Sequence, residues 1–274
     1  MEIRLIAFDL DGTLLRPDKT IAPRTMQALL RAREKGVLLV PATGRLYATL
    51  PEELKDEALV EKMILVNGAE VYDNRRKTAI ARAELTAAQA QALCGALQKL
   101  PVLTGIYQNG QGWMAREEYE RLPQVMRDET VLALVYRAFR PTDDLFAQIG
   151  AGGSVQKIIA YFQTQEEKQR YLEILKAQYP QYAVSSAFAI NIEFNAANAT
   201  KGDALKTLCE RLGLSAAQCM AFGDDLNDCT MLRAAGLGVA MQNAAEAVKA
   251  CADAVTQSNA EDGVAQMIER VLEL

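Results

Sequence analysis

Two carboxylates stand two residues apart directly after an apolar run near the start of the chain. The run IAF (6–8) is followed by Asp9, Leu10 and Asp11, and then by a glycine and a threonine. Aspartate and glycine are ordinary turn residues, so this stretch alone is also consistent with a simple turn after a strand. In a strand, alternate side chains share a face, so Asp9 and Asp11 can point one way while Leu10 points the other.

Two further apolar runs, LLVPA (38–42) and CMAFG (219–223), also end in polar residues. These are Thr43, Gly44 and Arg45 after the first, and Asp224, Asp225, Asn227 and Asp228 after the second. If the three runs are parallel strands of one sheet, their carboxyl ends meet at the edge where such sheets bind ligands. The separated segments are therefore expected to form one site.

The chemistry of that site follows from its charges. Asp9, Asp11 and Asp224 would repel one another unless a divalent cation lies between them, and Mg²⁺ prefers oxygen ligands of this kind. Thr43 and Lys201 supply a hydroxyl and a cation, groups that suit a phosphoryl oxygen. A carboxylate nucleophile, a second carboxylate for proton transfer, Mg²⁺ and a lysine together predict phosphoryl transfer.

Composition excludes several other classes of protein. The chain has no histidine, which removes histidine-based triads and imidazole bases, and its five cysteines show no C-x-x-C spacing. Scattered cysteines favour a reducing cytoplasm. The net charge of -5 predicts no nucleic-acid partner. No apolar stretch approaches the roughly 18 to 20 residues of a membrane helix, and MEIRLIAFD is unlike a signal peptide.

The elements that must position these residues alternate between short apolar strands and helices. This alternation predicts an α/β fold with a Rossmann-like, doubly wound parallel sheet at both ends of the chain. Residues 83–186 differ, because longer helices there are separated by strand-like segments such as VLALVYRAF (131–139). We therefore expect a core formed by residues 1–82 and 187–274, with an inserted α+β domain at 83–186.

Four motifs in order carry a resemblance to a known family. They are DLDGT (9–13), ATGR (42–45), TKG (200–202) and GDDLND (223–228), with NGA (67–69) as a further feature. The chain resembles the haloacid dehalogenase (HAD) superfamily, specifically the Cof-like subfamily (class IIB, large C2-type cap) of sugar-phosphate phosphatases. The resemblance covers the two core segments well and rests mainly on position and size in the inserted domain.

The resemblance implies a role for each position. Asp9 would be the nucleophile that forms an aspartyl-phosphate, and Asp11 would be the acid and base. Mg²⁺ would be held by Asp9, Asp224 and the backbone carbonyl of Asp11. Further residues would support these groups, namely the Leu10 amide, Thr43, Gly44, Lys201 and Asn227 at the phosphate and Asp228 behind the metal or Lys201.

Some of these residues also have a plainer interpretation. Asp225 can simply cap the next helix, and Arg45 can pair with acids at the sheet edge rather than act on substrate. Gly12 permits a turn. Trp113 and the cysteines are expected to pack in a core.

The predicted function is a Mg²⁺-dependent, cytoplasmic phosphatase of small phosphorylated metabolites, with sugar phosphates expected as substrates. A phosphomutase or phosphotransferase on the same core is an alternative, as is a signalling or binding protein that carries a phosphorylated aspartate. The inserted domain is expected to close over the site and select substrates. We expect a monomer or a small homo-oligomer with no membrane partner.

Overall fold

The computed structural model describes residues 2–187 and 189–274. The strands in these residues are β1 (Leu5–Phe8), β2 (Leu38–Pro41), β3 (Lys62–Leu65), β4 (Glu70–Asp73), β5 (Thr78–Arg82), β6 (Leu103–Gln108), β7 (Gln111–Ala115), β8 (Phe139–Thr142), β9 (Lys157–Tyr161), β10 (Tyr182–Ser185), β11 (Asn191–Ala196), β12 (Cys219–Gly223), β13 (Leu237–Met241) and β14 (Ala254–Thr256). The helices are α1 (Pro23–Glu34), α2 (Ala87–Leu97), α3 (Arg116–Glu120), α4 (Leu122–Val125), α5 (Glu129–Ala138), α6 (Leu145–Gly152), α7 (Gln165–Gln178), α8 (Lys201–Leu212), α9 (Cys229–Ala234), α10 (Glu246–Lys249) and α11 (Gly263–Leu272). No helix in the described ranges is long and apolar enough to cross a membrane.

The chain divides into two compact units. The first comprises Met1–Gly44, Pro51–Arg82 and Thr200–Leu274, and the second comprises Arg45–Leu50 and Ala83–Ala199. The first unit contains a five-stranded sheet and a three-stranded antiparallel sheet in the order β3-β4-β5, and the second contains a six-stranded sheet. Each unit has its own buried core.

A five-stranded parallel sheet forms the centre of the first unit, in the order β14-β13-β12-β1-β2. The chain places β2 on one side of β1 and β12 on the other, so the strand order reverses at β1. In open α/β sheets this reversal is where ligands bind, beyond the carboxyl ends of the strands. The predicted α/β class with a parallel sheet is confirmed.

Apolar residues on both faces explain why these strands form a buried sheet. Leu5 and Ala7 lie in one cluster with Leu205 and Leu208 of α8 and Leu232 of α9. The alternate residues of β1 are also fully buried, and α1 packs against α11 in the same unit. A parallel sheet covered by helices on both faces has this near-continuous apolar pattern.

Local signals set the ends of the two helices that matter most for this sheet. Pro23 is the first residue of α1, and Gly36 follows the helix with φ +82°. In α8 the Thr200 hydroxyl accepts a hydrogen bond from the Asp203 amide, and Gly213 ends the helix with φ +66°. A threonine cap and a left-handed glycine satisfy the backbone groups that helix ends leave unpaired.

The second unit contains a six-stranded sheet in the order β10-β11-β9-β6-β7-β8. Its pairings are antiparallel except between β7 and β8. One face carries Ile106, Ile158 and Phe194, which cluster with α2, α6 and α7. Trp113 packs against this cluster, as the core interpretation of that residue predicts.

Segment 131–139 is mostly helical, whereas the sequence predicted a strand-like segment there. VLALVYRAF was expected to be strand-like, but most of it lies in helix α5, which ends at Ala138. The Asp128 side chain caps the helix by accepting hydrogen bonds from the amides of Thr130 and Val131. The cap and the surroundings of the helix therefore outweigh the preference of its β-branched residues for strands.

The predicted boundaries of the inserted segment differ from those of the second unit. The segment was expected to end at residue 186, but β11 pairs with β9 and β10, so the second unit continues to Ala199. The short stretch Arg45–Leu50 also belongs to this unit. The end of the segment differs because the sheet to which a strand belongs depends on its pairing partners, and composition does not indicate those.

The cysteines are free, and their burial follows the packing expectation in most cases. Those at positions 94, 209, 219 and 229 are buried, while Cys251 is half-buried.

Candidate active site

The carboxyl ends of β1 and β12 bring two aspartates together, although they are far apart in sequence. The strands pair in register with Phe8 beside Phe222, and Asp9 and Asp224 follow them. The Asp9 amide continues the ladder by donating a hydrogen bond to the Phe222 carbonyl, at 3.0 Å. The two carboxylates predicted from separate motifs therefore lie at one edge of the sheet.

Lys201 connects two carboxylates at this edge. Its Nζ lies 2.6 Å from Asp9 Oδ1 and 2.6 Å from Asp228 Oδ1, and its side chain is only 1% exposed. Burial alone would lower the pKa of Lys201, but the carboxylates of Asp228 and Asp9 outweigh burial and raise it above the usual value. The lysine is therefore a fixed positive charge in the site.

The turn that follows β12 fixes Asp228. One oxygen of the fully buried Asp228 accepts hydrogen bonds from the amides of Asp224 and Asp225, at 3.0 and 3.1 Å. Its other oxygen binds Lys201. The Asp225 side chain is exposed and accepts a hydrogen bond from the Leu226 amide at 2.7 Å, as the capping interpretation of Asp225 predicts.

Asp9, Asp224 and Asp228 form a group of acids that fits a metal ion. One carboxylate oxygen from each lies within 4.8 Å of the others. Burial raises the pKa of Asp224 to about 7, although the hydrogen bond from Thr13 opposes this shift. Burial and the neighbouring acids also raise the pKa of Asp9, although Lys201 lowers it. Three carboxylates facing one ammonium leave an excess of negative charge, and all the donors are hard oxygen atoms. A hard divalent cation suits this donor set.

The loop between β1 and α1 approaches Asp224 closely. Gly12 has φ +88°, and a Cβ atom there would lie 2.2 Å from Asp224 Oδ2. The next residue, Thr13, donates its hydroxyl hydrogen to Asp224 Oδ1 at 2.6 Å. Glycine is therefore required at position 12 both for the turn and for the approach of Asp224.

Asp11 points its carboxylate to a different partner. Its Oδ1 lies 2.8 Å from Lys19 Nζ, and the Asp11 side chain is 35% exposed. The three close acids are Asp9, Asp224 and Asp228, so the Asp11 carboxylate is not among them. The resemblance implied that Asp11 binds the metal through its backbone carbonyl. The Leu10 side chain is fully buried, which leaves only its backbone for a ligand.

Thr43 extends the site beyond β2. The Ala42 amide bonds to the Phe8 carbonyl at 2.8 Å, and the Thr43 amide bonds to the Ile64 carbonyl at 2.9 Å. The Thr43 side chain is buried at the same edge of the sheet. Gly44 follows Thr43 and closes the first segment of the unit.

Asn67, the first residue of the NGA motif, contacts a site residue although the sequence indicated no role for it. Its Oδ1 accepts a hydrogen bond from Asn227 Nδ2 at 3.3 Å, and it has φ +61°. A Cβ atom on the next residue, Gly68, would lie 2.2 Å from the Thr200 carbonyl oxygen. The NGA turn therefore packs against the start of the helix that carries Lys201.

Asn227 Oδ1 is buried and has no hydrogen-bond partner within residues 2–187 and 189–274. Buried side-chain oxygens are nearly always paired, and exceptions often mark a group whose partner is a ligand. This oxygen supports the interpretation of the edge as a binding site.

Arg45 has a contact within its own short segment. Its Nη1 donates a hydrogen bond to the Thr49 carbonyl at 3.0 Å, and both residues belong to the second unit. A role for Arg45 toward substrate or neighbouring acids stays a prediction.

The fold and the motifs define a family, and the comparison with known proteins agrees. Residues 6–268 match the haloacid dehalogenase-like hydrolases. The chain belongs to this family, so the predicted superfamily and the predicted enzyme class, a hydrolase, are confirmed.

Individual relatives cover almost the whole chain. The chain is similar to the 5-amino-6-(5-phospho-D-ribitylamino)uracil phosphatase YcsE of Bacillus subtilis, with 31% identity over 98% of this chain and 95% of the relative. It is similar to the pyridoxal phosphate phosphatase YbhA of Escherichia coli, with 32% identity over 98% of each. Among solved structures, a haloacid dehalogenase-like hydrolase from B. subtilis has a TM-score of 0.84 and 28% identity, covering 98% of this chain and all of the other.

Proposed function

We propose that this chain is a Mg²⁺-dependent phosphatase that hydrolyses small phosphorylated metabolites through an aspartyl-phosphate on Asp9. The observation that carries the proposal is the buried contact of Asp9 with Lys201, beside Asp224 and Asp228 at the edge of the sheet. This arrangement joins a nucleophilic carboxylate, a fixed cation and a set of metal-binding oxygens in one place.

Lys201 orients the nucleophile. It binds Asp9 Oδ1, which leaves the other carboxylate oxygen of Asp9 to attack phosphorus. The P–O bond to the leaving group then breaks, and the phosphoryl group is bonded to Asp9. Because Lys201 is also bonded to Asp228, its ammonium group stays in place while charge moves on the phosphoryl oxygens.

Asp11 manages the protons. Its carboxyl gives a proton to the leaving oxygen in the first step, and in the second step it takes a proton from the water that attacks the phosphorus of phospho-Asp9. The second step releases inorganic phosphate and restores Asp9. The Asp11 side chain is 35% exposed and belongs to the same loop as Asp9, which supports this role.

The remaining residues bind the phosphate. The Leu10 amide, the Thr43 hydroxyl, the Gly44 amide and the Asn227 NH₂ group are proposed to donate hydrogen bonds to it, together with Lys201. The burial of Thr43 at this edge supports its assignment.

The metal ligands are proposed from the same acids. Asp9, Asp224 and the Asp11 carbonyl would hold Mg²⁺, while Asp228 would orient Lys201 and the turn after β12. Bound Mg²⁺ supplies positive charge that lessens the repulsion between the carboxylates and an incoming phosphate.

The proposed substrates are small phosphate monoesters. The two curated relatives are named for a phosphorylated ribitylamino-uracil and for pyridoxal phosphate, both small phosphorylated compounds. Sugar phosphates are the first class to test.

We propose the second unit as the cap that selects among substrates. A cytoplasmic location is also proposed, supported by the five free cysteines.

The direct test is phosphate release from a panel of phosphate monoesters, with Mg²⁺ and with a chelator. We expect release only with Mg²⁺ and none from Asp9→Asn. The matched control is Asp18→Asn, which makes the same change of charge on an exposed residue of the same loop, where the Asp18 side chain accepts hydrogen bonds from Thr20. After an acid quench, the wild-type protein should carry phosphate that hydroxylamine removes, as an acyl phosphate does.

Either of two results would contradict the proposal. One is no phosphate release from any compound with Mg²⁺ present, and the other is equal release from wild-type protein and Asp9→Asn. A product that is an isomer of the substrate, with no free phosphate, would indicate a mutase instead.

A further inference from the structure

Two asparagines from the C-terminal part of the chain bind the loop that carries the proposed nucleophile. Asn243 Nδ2 donates a hydrogen bond to the Gly12 carbonyl at 2.9 Å, and Asn259 Nδ2 donates one to the Leu15 carbonyl at 2.7 Å. The two residues are linked to each other, because the backbone N–H of Asn259 donates a hydrogen bond to Asn243 Oδ1 at 3.2 Å. No motif in the sequence analysis includes either residue.

The carbonyl that Asn243 binds belongs to the peptide group between Gly12 and Thr13. That peptide group lies between the two contacts of the loop with Asp224, namely the close approach of Gly12 and the hydrogen bond from the Thr13 hydroxyl. A rotation of the peptide plane would move both contacts. Asn243 therefore restrains the peptide group that joins these two contacts of the loop with Asp224.

Asn259 and a salt bridge support this contact from the next turn. Asn259 lies in a short 3₁₀ turn before α11, and the Arg16 guanidinium lies 3.2 Å from Asp262 in the same region. The hydrogen bond from Asn259 to Asn243 fixes which end of the Asn243 amide faces the loop. With its oxygen already bound, Asn243 presents its NH₂ group to Gly12.

Asn243 is exposed, unlike most residues that fix the site. Its replacement leaves no cavity in the core, so a variant is expected to fold. A surface hydrogen bond contributes little to global stability, commonly about 1 kcal/mol. Its main effect is therefore expected to be local, on the position of the loop.

We propose that Asn243 is a positioning residue, which holds the Gly12–Thr13 peptide group so that Asp224 keeps its orientation, and that Asn259 fixes the amide of Asn243. This inference rests on the proposed function for its effect on rate, although the contact itself does not. Asn243 is assigned no contact with phosphate or metal.

The test compares Asn243→Asp with Gln242→Glu. The first variant keeps the shape and the acceptor for Asn259 but replaces the NH₂ donor with an oxygen that faces the Gly12 carbonyl. The second makes the same change of charge at the neighbouring exposed residue. We expect Asn243→Asp to lower kcat roughly 10- to 100-fold, the cost of a small misplacement of reacting groups, with KM changed less than about twofold.

A second measurement separates positioning from general damage and does not depend on catalysis. The amides of Thr13, Leu14 and Leu15 donate hydrogen bonds within the loop, to the carbonyls of Leu10 and Asp9. Hydrogen exchange at these amides should be at least about fivefold faster in Asn243→Asp, while core amides keep their protection. Gln242→Glu should match the wild-type protein in rate, exchange and melting temperature.

Equal exchange and equal kcat in the two variants would overturn the proposal, as would a loss of rate with no change in loop exchange. A uniform loss of protection across the first unit would also overturn it, since Asn243 would then be a structural residue. If the wild-type protein releases no phosphate, the proposed function fails separately, and the exchange at Thr13–Leu15 still decides whether Asn243 holds the loop.

Discussion

Lys201 determines the charge balance of the candidate site. Its ammonium group contacts Asp9 and Asp228, and all three side chains are buried. Removing one member of a buried ionic group lowers the free energy of unfolding by more than the whole group contributes to it. The reason is that the remaining charges stay buried, away from water, without an opposite charge. The stability of the site therefore depends on a residue that is also proposed to act in the reaction.

Lys201→Met should destabilise the Mg²⁺-free protein by about 3–5 kcal/mol, because Asp9 and Asp228 are left as buried, uncompensated acids. Urea unfolding with a chelator measures this change. The matched control is Lys206→Met on the same helix, where the lysine is exposed and lies 3.5 Å from Asp203. That variant should lose under about 1 kcal/mol. Equal losses in the two variants would contradict the assigned role of the buried network.

Gly12 allows a test that separates backbone strain from contact with Asp224. Gly12→Ala and Gly36→Ala both place a side chain at φ near +85°. At Gly12 the new Cβ would meet Asp224, whereas at Gly36 no atom of the described residues lies within 4 Å of it. Each should lose about 1–2 kcal/mol through strain. Only Gly12→Ala should weaken Mg²⁺ binding, by about 10- to 100-fold. Titration calorimetry measures this, and equal Mg²⁺ affinity in both variants would count against the assigned ligand Asp224.

Sequence motifs located the candidate residues that lie at strand ends, such as Asp9 and Asp224. Their positions follow from a simple rule, because parallel strands deliver their carboxyl ends to one edge. The same reasoning missed Asn67, Asn243 and Lys19, which contact site residues from other segments. A single asparagine or lysine has no spacing pattern, and its contact depends on how distant loops fold together.

At the scale of elements, β9 and β11 of the second unit carry a buried ion pair on the sheet face opposite the apolar cluster. Lys157 Nζ lies 2.9 Å from Glu193 Oε1, and the two side chains are 2% and 3% exposed. Asn191 donates to the same glutamate oxygen at 3.1 Å, and the Tyr107 ring lies 4.7 Å from the lysine nitrogen. The pair joins neighbouring strands where an apolar contact would otherwise be expected.

Lys157→Met should therefore cost about 3–5 kcal/mol, because Glu193 stays buried after it loses the ammonium group of Lys157. Adding Glu193→Gln should recover part of the loss, with a coupling energy of about 1–3 kcal/mol in urea unfolding. The exposed pair Lys176 and Glu173, at 3.0 Å on α7, is the control and should couple by under about 0.5 kcal/mol. Equal coupling at the two pairs would contradict the importance of burial.

The same strands show why element prediction succeeded in one place and failed in another. The run KIIAY of β9 is mostly apolar and lies within the part of the chain where strand-like segments were expected. The residues NIEFNA of β11 carry buried polar side chains, so composition did not place them with the sheet of the second unit. In α5 a continuous apolar run was taken for a strand, since period alone does not separate a short buried helix from a strand.

At the scale of the whole molecule, the chain passes between its two units more often than the sequence indicated. One insertion was predicted, but the short segment Arg45–Leu50 also belongs to the second unit. This segment comes directly after Thr43 and Gly44, so a residue of the proposed phosphate site and a residue of the proposed cap are neighbours in sequence. The sequence does not show that this segment belongs to the second unit, because six residues are too few to differ detectably in composition from their neighbours.

Exchange of the second unit tests whether reaction and selectivity are divided between the units. In the proposed chimaera, residues 45–50 and 83–199 are replaced together by the corresponding segments of the E. coli relative YbhA, which matches this chain along nearly its whole length. Because the acids and Lys201 all lie in the first unit, Mg²⁺ dependence and the requirement for Asp9 should be unchanged. The order of kcat/KM across the phosphate panel should follow the donor of the second unit, since that ratio reports discrimination between substrates.

The reciprocal chimaera is the control and should show the opposite change. An order that follows the first unit in both chimaeras would show that selectivity lies with the residues around Asp9, and that the second unit is not the substrate-selecting cap.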